Sequence, residues 1–408
     1  MSSFRELHVN IKVRIIHNFI SRFVGSMILP FMAIYLSVHF GATLAGVLLL
    51  FSVVVGFLVS LISGYFSDYY GRRKIIVASE GIRFLSFVVM AICNSPLITA
   101  PLITFIMMLV NTLCTGLSIP ANDAMLIDVS TKKQRKFMYT IIYWSGNLSV
   151  AIGGVLGAFL FSNYLFQLFV VLSILSFLIT LLVGLFIKES YTPNNERIAA
   201  RKHIVGLLKN YNFVVKDKTF ILFMIASVLI FSAEFHLVNY ISIRLAESMP
   251  IHEVLGWDIN GVQAIGILKS ENTLLVLILM LFVNKLVFKF NNKKVLLLSA
   301  LVFATSYSLM PITDSLYVLM LLMFVATIGE VLFGPLEQTY FASMAPDEHR
   351  SSYMAFNALK GDLALLIASL TVIIGSILPP IVIAIIIFLT GLTAVLLYNM
   401  VISSSVED

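Results

Sequence analysis

Long hydrophobic stretches separated by short polar segments run through the whole chain. Stretches such as Gly46–Ser63 and Leu165–Ile187 contain no charged residue. A helix rises about 1.5 Å per residue, so about 20 such residues cross the ~30 Å hydrocarbon core of a bilayer. The bilayer interior offers no water to backbone groups, so apolar runs of this length favour helices over barrel strands. The pattern predicts an all-α membrane protein with twelve transmembrane helices, near residues 14–38, 43–66, 75–94, 99–124, 138–161, 164–188, 219–246, 264–288, 295–311, 316–340, 351–375 and 379–402.

One long polar segment, residues 189–218, interrupts this series near the middle of the chain. It is rich in charged residues and asparagine, as a linker outside the membrane would be. We therefore predict a six-helix bundle over residues 1–188, a cytoplasmic linker over 189–218 and a second six-helix bundle over 219–408. The other sizeable loop, residues 248–266, is predicted on the extracellular side.

Composition supports the membrane class and excludes a nucleic-acid partner. The chain is 59% apolar and only 12% charged, whereas soluble domains have about 25% charged residues. Most of the Lys and Arg residues lie in the N-terminal leader and in alternate loops, and the intervening loops contain none. This distribution accounts for the net charge of +6. It predicts a multi-pass protein of the cell membrane, with lipid as its surroundings and both termini in the cytoplasm.

The strongest motif is the segment Gly64–Lys74, with the sequence GYFSDYYGRRK, in the loop after the second predicted span. It resembles the signature loop of the major facilitator superfamily. That resemblance implies two pseudo-symmetric six-helix bundles that alternate between two conformations. It also implies a conformational switch, in which glycines allow a tight turn and charge pairs form and release. The switch residues are Gly64, Asp68, Gly71, Arg72, Arg73 and, at the end of the fourth span, Asp128.

Further segments resemble the proton-coupled multidrug exporters of this superfamily, of the lactococcal multidrug transporter type. These are Asn122–Asp128, Tyr143–Val150 and Gly329–Pro335, together with a weakened exporter element at Gly153–Ala158. The likeness places Asp68, Asp128 and Glu330 where such transporters have functional carboxylates. The sequence also departs from the type: Ile142 stands where an acidic residue is expected, and residues 100–127 contain no arginine.

Ionisable residues within the spans are costly and therefore call for a partner, a water-filled cavity or a function. Glu80 and Arg83 are three residues apart and are predicted to pair on one helical face. Lys360 is expected to find a partner on another helix or at the cytoplasmic interface. Lys269 and Glu271 are placed near an extracellular helix end, where long side chains reach the interface.

Glu330 is the leading candidate for a buried functional carboxylate. It lies deep in the tenth span, before the helix-weakening pair Gly334 and Pro335. A carboxyl group there can hold either a proton or a cationic ligand, which is the simplest basis for antiport. The predicted proton-coupling residues are Glu330, Asp123, Glu234 and His236. The predicted substrate-binding residues are Glu330, Tyr143, Trp144, Asn147, Asn239 and Arg22.

These observations predict a transporter that exports small amphipathic, cationic compounds in exchange for protons. Two alternatives stay open: a dedicated exporter of one metabolite such as a metallophore, peptide or sugar conjugate, and a proton-coupled importer. The sequence contains no phosphate-binding loop for ATP. No enzyme activity, cofactor or metal site is expected, since His17 and His236 lack any recognised ligand spacing. The superfamily's usual state is a monomer.

Overall fold

Helices of membrane-spanning length make up almost the whole fold. A computed structural model describes residues 7–190, 213–254, 256–287, 291–346 and 350–404. Within these ranges, twelve helical segments are long and apolar enough to cross a membrane. The prediction of an all-α protein with twelve spans is confirmed. The predicted linker, residues 189–218, lies mostly outside the described residues.

The helices of the first half follow one another with short connections. They are α1 (Val9–Ile28), α2 (Met32–Phe40), α3 (Ala42–Tyr70), α4 (Arg72–Cys93), α5 (Pro101–Val129), α6 (Lys132–Asn163) and α7 (Leu165–Phe186). A 3₁₀ turn at Leu29–Phe31 joins α1 to α2 within one span, because Pro30 has no N–H for the helical ladder. A two-residue hairpin, β1 (Asn94–Ser95) with β2 (Ile98–Thr99), joins α4 to α5.

The second half repeats this organisation. Its helices are α8 (Lys218–His236), α9 (Ser242–Ser248), α10 (Gly261–Val287), α11 (Asn292–Leu309), α12 (Leu316–Met344), α13 (Arg350–Ala358), α14 (Lys360–Gly375) and α15 (Pro380–Ser404). A π-helical turn, Leu237–Ile241, continues α8 into α9. The predicted loop 248–266 contains an antiparallel hairpin, β3 (His252–Val254) with β4 (Trp257–Ile259), and the first residues of α10.

The helices divide into two compact units. One comprises Met1–Leu29 and Phe51–Val205, and the other comprises Pro30–Leu50 and Gly206–Asp408. The predicted bundle boundary differs from this division in Pro30–Leu50. That segment packs with the second unit because Ser37 donates to Glu247 at 3.1 Å and Gly46 lies against Ile373.

Glycines set how closely α6 approaches α1 in the first unit. A Cβ atom on Gly153 or Gly157 would collide with Ser26 or with the backbone of Met27. Only glycine fits at such contacts, and small residues in membrane helices permit this close packing. The weakened exporter element therefore has a packing role in this structure.

Candidate functional site

The second unit contains a cluster of charged and polar side chains contributed by three helices. Glu234 comes from α8, Lys269 and Asn272 from α10, and Thr327 and Glu330 from α12. Lys269 and Asn272 are three residues apart, so they lie on one face of α10. We call these five residues the carboxylate cluster.

Two separate sets of hydrogen bonds join the members of the carboxylate cluster. The Lys269 ammonium group donates to Glu234 Oε1 at 2.6 Å. The Asn272 amide donates to Glu330 Oε2 at 2.7 Å and to Thr327 Oγ1 at 3.1 Å. Glu234 and Lys269 both lie within electrostatic reach of Glu330. One ammonium group therefore serves two carboxyl groups.

One of the two ion-pairing parts of the carboxylate cluster is partly exposed. The side chains of Lys269 and Glu234 are 21% and 25% exposed. With both carboxyl groups ionised, the cluster carries one net negative charge. It can therefore be neutralised by one proton or by one monovalent cation.

The cluster brings together two of the predicted proton-coupling residues, Glu330 and Glu234. Lys269 was expected to reach the extracellular interface, but it pairs instead with Glu234 of α8. Asn272 is not among the residues predicted from the sequence, since an uncharged amide gives no strong signal in a membrane helix. Glu271 is half-buried and its Oε2 atom has no hydrogen-bond partner among the described residues.

The other predicted residues of this unit, His236 and Asn239, lie at the π-helical turn. Both side chains are buried, and His236 Nδ1 and Asn239 Nδ2 have no hydrogen-bond partner in the described part of the chain. Single π-helical turns are frequent at functional sites. Neither residue joins the carboxylate cluster through a hydrogen bond.

A second lysine–glutamate pair in the same unit is more buried, with 14% exposure for Lys360 and 2% for Glu337. Lys360 donates to Glu337 at 2.9 Å, and Glu337 also accepts from Ser227. The Lys360 ammonium group also lies 4.1 Å from the ring centre of Phe231. This pair confirms the expectation that Lys360 finds a partner on another helix.

The first unit contains a buried network centred on Glu80. Arg83 donates to both carboxylate oxygens of Glu80 at 3.1 and 3.2 Å and to Ser21 Oγ at 3.0 Å. This confirms the predicted pairing of Glu80 with Arg83. His17 Nε2 lies 2.9 Å from Glu80, and Arg14 Nη1 lies 2.5 Å from His17 Nδ1. A guanidinium group can only donate, so these contacts assign the His17 proton to Nε2 and make the ring neutral.

Several predicted substrate-binding residues, and the predicted proton-coupling residue Asp123, lie at the surface of the first unit. The side chains of Arg22, Asp123, Tyr143 and Trp144 are exposed, and Asn147 is half-buried. Asp123 is within electrostatic reach of Arg14 and Arg22. Asn147 donates to the backbone oxygen of Tyr143 at 2.8 Å.

The signature loop forms the turn between α3 and α4. Gly71 has a φ of 92°, a left-handed conformation that favours glycine. Arg72 forms an ion pair with Asp128, which also accepts from Ser190 at 3.0 Å. Arg73 donates to the backbone oxygens of Gly184 and Ile187, both at 2.8 Å. A Cβ atom on Gly64 would meet nothing within 4 Å, and the side chain of Asp68 lies outside the described residues.

Metal-ligand geometry is not found in the described ranges. None of their His, Cys, Asp and Glu side chains forms a group of three or more that could hold a metal ion. Cys93 and Cys114 are both buried free thiols.

Membrane-length helices with ionisable side chains between them define a polytopic α-helical membrane protein. Its sequence matches the Major Facilitator Superfamily over residues 15–369 and 248–406. The chain belongs to this superfamily and is a membrane transporter. The resemblance seen in the signature loop is thereby confirmed at the level of the superfamily.

Relatives and solved structures of similar transporters cover most of the chain. It is 30% identical over 375 residues to the "Na(+), Li(+), K(+)/H(+) antiporter" of Planococcus maritimus, covering 89% of this chain and 88% of that protein. It is 23% identical over 342 residues to the "Multidrug resistance protein MdtH" of Blochmanniella floridana, covering 82% and 80%. A crystal structure of the peptide transporter POT in complex with sulfate superposes with a TM-score of 0.77 at 14% identity, covering 100% and 96%. The last likeness shows the fold alone.

Proposed function

We propose that the protein is a proton-coupled antiporter that exports monovalent cations through alternating access. The observation that carries this proposal is the carboxylate cluster: two carboxyl groups, Glu234 and Glu330, share one ammonium group. The part-exposed pair of Glu234 and Lys269 gives ions a route to the cluster.

The charge of the cluster provides the exchange rule. With both carboxyl groups ionised and Lys269 protonated, one further positive charge makes the cluster neutral. A proton and a monovalent cation therefore exclude each other. An antiporter needs this exclusion together with two conformations that expose the site in turn.

Amphipathic organic cations are the first substrate class. The resemblance to proton-coupled multidrug exporters and the similarity to MdtH support this choice. The chain has 32 phenylalanines and 15 tyrosines. Flat aromatic cations can stack on such rings where the rings line the path of the substrate.

Alkali-metal cations are the second candidate class. The relative from Planococcus maritimus is named for the exchange of sodium, lithium and potassium for protons, and it matches over most of both chains. Glu330, Asn272 and Thr327 supply carboxylate, amide and hydroxyl oxygens, which are the ligands that hard cations prefer. In this case the cluster would hold a partly dehydrated metal ion as cargo.

We also propose an orientation of the protein in the membrane and a set of residues for its conformational switch. Both termini are assigned to the cytoplasm of a cell-membrane protein. Gly64, Asp68, Gly71, Arg72, Arg73 and Asp128 are assigned to the conformational switch. The ion pair between Arg72 and Asp128 supports that assignment, because a partly exposed pair can form in one conformation and release in another.

Transport in proteoliposomes tests the proposal directly. An imposed pH gradient should drive ethidium or sodium ions against the proton flow, and each is measured separately. Glu330→Gln and Glu234→Gln should each reduce the exchange rate at least about tenfold, the equivalent of roughly 1.4 kcal/mol. Glu253→Gln is the matched control, since Glu253 is exposed in β3 and outside the cluster.

The outcomes separate the candidates. Ethidium exchange that requires Glu330 supports the first class, and sodium exchange that requires it supports the second. Cation movement in the same direction as the protons would instead establish an importer. If folded protein moves neither cation, or if both glutamine variants exchange at the wild-type rate, the proposal is wrong.

A further inference from the structure

Arg22 in α1 is an exposed cation with no partner of its own. Its side chain forms no hydrogen bond or ion pair with any described residue, and it lies near the middle of the 32-residue first span. Arginine is expensive at this depth unless it faces water or binds an acceptor. The position therefore calls for a function.

Gly146 of α6 holds the Arg22 side chain in place. A Cβ atom on Gly146 would lie 3.0 Å from Cδ, 3.2 Å from Nε and 3.3 Å from Cζ of Arg22. The start of the guanidinium group thus occupies the space that a side chain would fill. The Arg22 side chain therefore packs against α6 at Gly146.

The two other arginines of this region are already bound. Arg14 contacts His17, and Arg83 donates to Glu80 and Ser21. The carboxyl group within electrostatic reach of Arg22 is that of Asp123, which is itself exposed and does not hydrogen-bond to it. The Arg22 guanidinium group therefore keeps its donors available to a ligand.

We propose that Arg22 is a binding site for an oxyanion, such as the carboxylate, phosphate or sulfonate group of an amphipathic ligand. The planar guanidinium fork matches two oxygens of such a group and forms stronger hydrogen bonds than a neutral donor. Tyr143, three residues before Gly146, presents an exposed ring on the same helical face for the apolar part of the ligand. Asp123 acts against anion binding, so its neutral form favours the ligand.

This site is independent of the proposed cation exchange, which rests on the second unit. The oxyanion has two possible sources, a transported solute or a lipid headgroup. The chemistry at Arg22 is the same for both, and the experiment separates them.

Two rhodamine dyes provide matched probes. Rhodamine B has a free carboxylate, whereas in rhodamine 6G an ethyl ester blocks it. Fluorescence anisotropy of each dye is measured with the full-length protein in phosphate-free maltoside detergent. The variants are Arg22→Gln, which removes the charge, Arg22→Lys, which removes the fork, and Gly146→Ala, which displaces it. Gly184→Ala is the control, because a Cβ there meets nothing within 4 Å.

We expect Arg22→Gln to weaken rhodamine B binding about tenfold and to change rhodamine 6G binding less than twofold. Arg22→Lys and Gly146→Ala should give intermediate losses for rhodamine B alone. Equal effects of Arg22→Gln on the two dyes, or none on either, would overturn the proposal unless a lipid occupies the site.

Lipid occupancy is measured on the same samples. Native mass spectrometry compares the phospholipid retained by the wild-type protein and by Arg22→Gln, and phosphatidylglycerol is titrated into the rhodamine B assay. A headgroup at Arg22 is shown by lipid loss in the variant and by competition with the dye. If Arg22→Gln alters neither dye discrimination nor lipid retention, Arg22 is not an oxyanion site.

Discussion

Each of the two units carries a group of ionisable side chains between its helices, but the groups differ in exposure and in net charge. In the first unit, the side chains of Glu80 and His17 are 0% and 4% exposed, and Arg14 and Arg83 outnumber the single carboxylate. In the second unit, two carboxyl groups outnumber Lys269, and the side chains of Lys269 and Glu234 are 21% and 25% exposed.

The difference indicates two different uses of buried charge. In the network around Glu80, each charged group is held by a neighbour and an entering ion has no access. Such a network holds helices α1 and α4 together, and the contacts of His17 keep its imidazole ring neutral. The carboxylate cluster has an excess of negative charge when both carboxyl groups are ionised, and one of its ion pairs is partly exposed. We infer that the first group stabilises the unit, and the second is the site proposed for transport.

The largest predicted effect is the loss of stability when Glu80 is removed. Glu80→Ala leaves Arg83 buried without its carboxylate and takes away the acceptor for His17. Breaking a buried ion pair by removing one partner costs about 3–5 kcal/mol. Unfolding by detergent titration, followed by circular dichroism, measures this loss.

Glu330→Gln is the matched change in the carboxylate cluster. Glutamine keeps an oxygen for the Asn272 amide and removes charge from a group that already has an excess of it. Its cost in unfolding free energy should stay within about 1 kcal/mol, the usual range for one hydrogen bond. Equal destabilisation by the two variants would contradict the division into a stabilising network and an exchangeable cluster.

Local spacing made the Glu80 pair predictable, but the rest of its network was not. Glu80 and Arg83 are one helical turn apart, so their contact follows from helix geometry alone. His17 meets Glu80 across 63 positions of sequence, and no local pattern encodes such a contact. The fold was predictable for a different reason: a bilayer demands long apolar helices, and hydropathy records them directly.

The site was only partly predictable, because the depth assigned to a side chain within the helix bundle depends on where its helix is predicted to begin. Lys269 was assigned to a helix end when the eighth span was placed at 264–288. The structure begins α10 at Gly261 after the β3–β4 hairpin, which carries Lys269 into contact with Glu234. Motif resemblance identified Glu330, but it gave no information about Asn272, whose role depends on α10 meeting α12.

Lys269→Met should increase the affinity of the carboxylate cluster for a cation. Lys269→Met takes away the internal cation, so the two carboxyl groups lose the positive charge that competes with a ligand cation. We expect about tenfold tighter ethidium binding and a slower release that lowers the exchange rate. Isothermal titration calorimetry measures the affinity, and proteoliposome exchange measures the rate.

Lys293→Met is the control for the loss of a lysine. Lys293 bonds to Ser403 at 2.5 Å and lies at the start of α11, outside the cluster. It should leave ethidium affinity within twofold of the wild-type value. Weaker ethidium binding in Lys269→Met would mean that the lysine supports the site, and the competition argued for the cluster would be wrong.

The smallest predicted effects come from two hydroxyl groups that occupy similar positions at the edges of the two groups. Ser21 accepts a hydrogen bond from Arg83, and Thr327 accepts one from Asn272. Ser21→Ala and Thr327→Val each remove that acceptor, and each should cost about 1 kcal/mol in the free energy of unfolding.

The effects of Ser21→Ala and Thr327→Val on transport should differ. Ser21→Ala leaves Arg83 bound to Glu80 and should exchange cations at the wild-type rate. Thr327→Val frees the Asn272 amide to turn away from Glu330, so the apparent affinity for the exported cation should change two- to fivefold. Initial exchange rates over a range of ethidium or sodium concentrations measure both. A change in apparent affinity with Ser21→Ala would show that the network around Glu80 also takes part in transport.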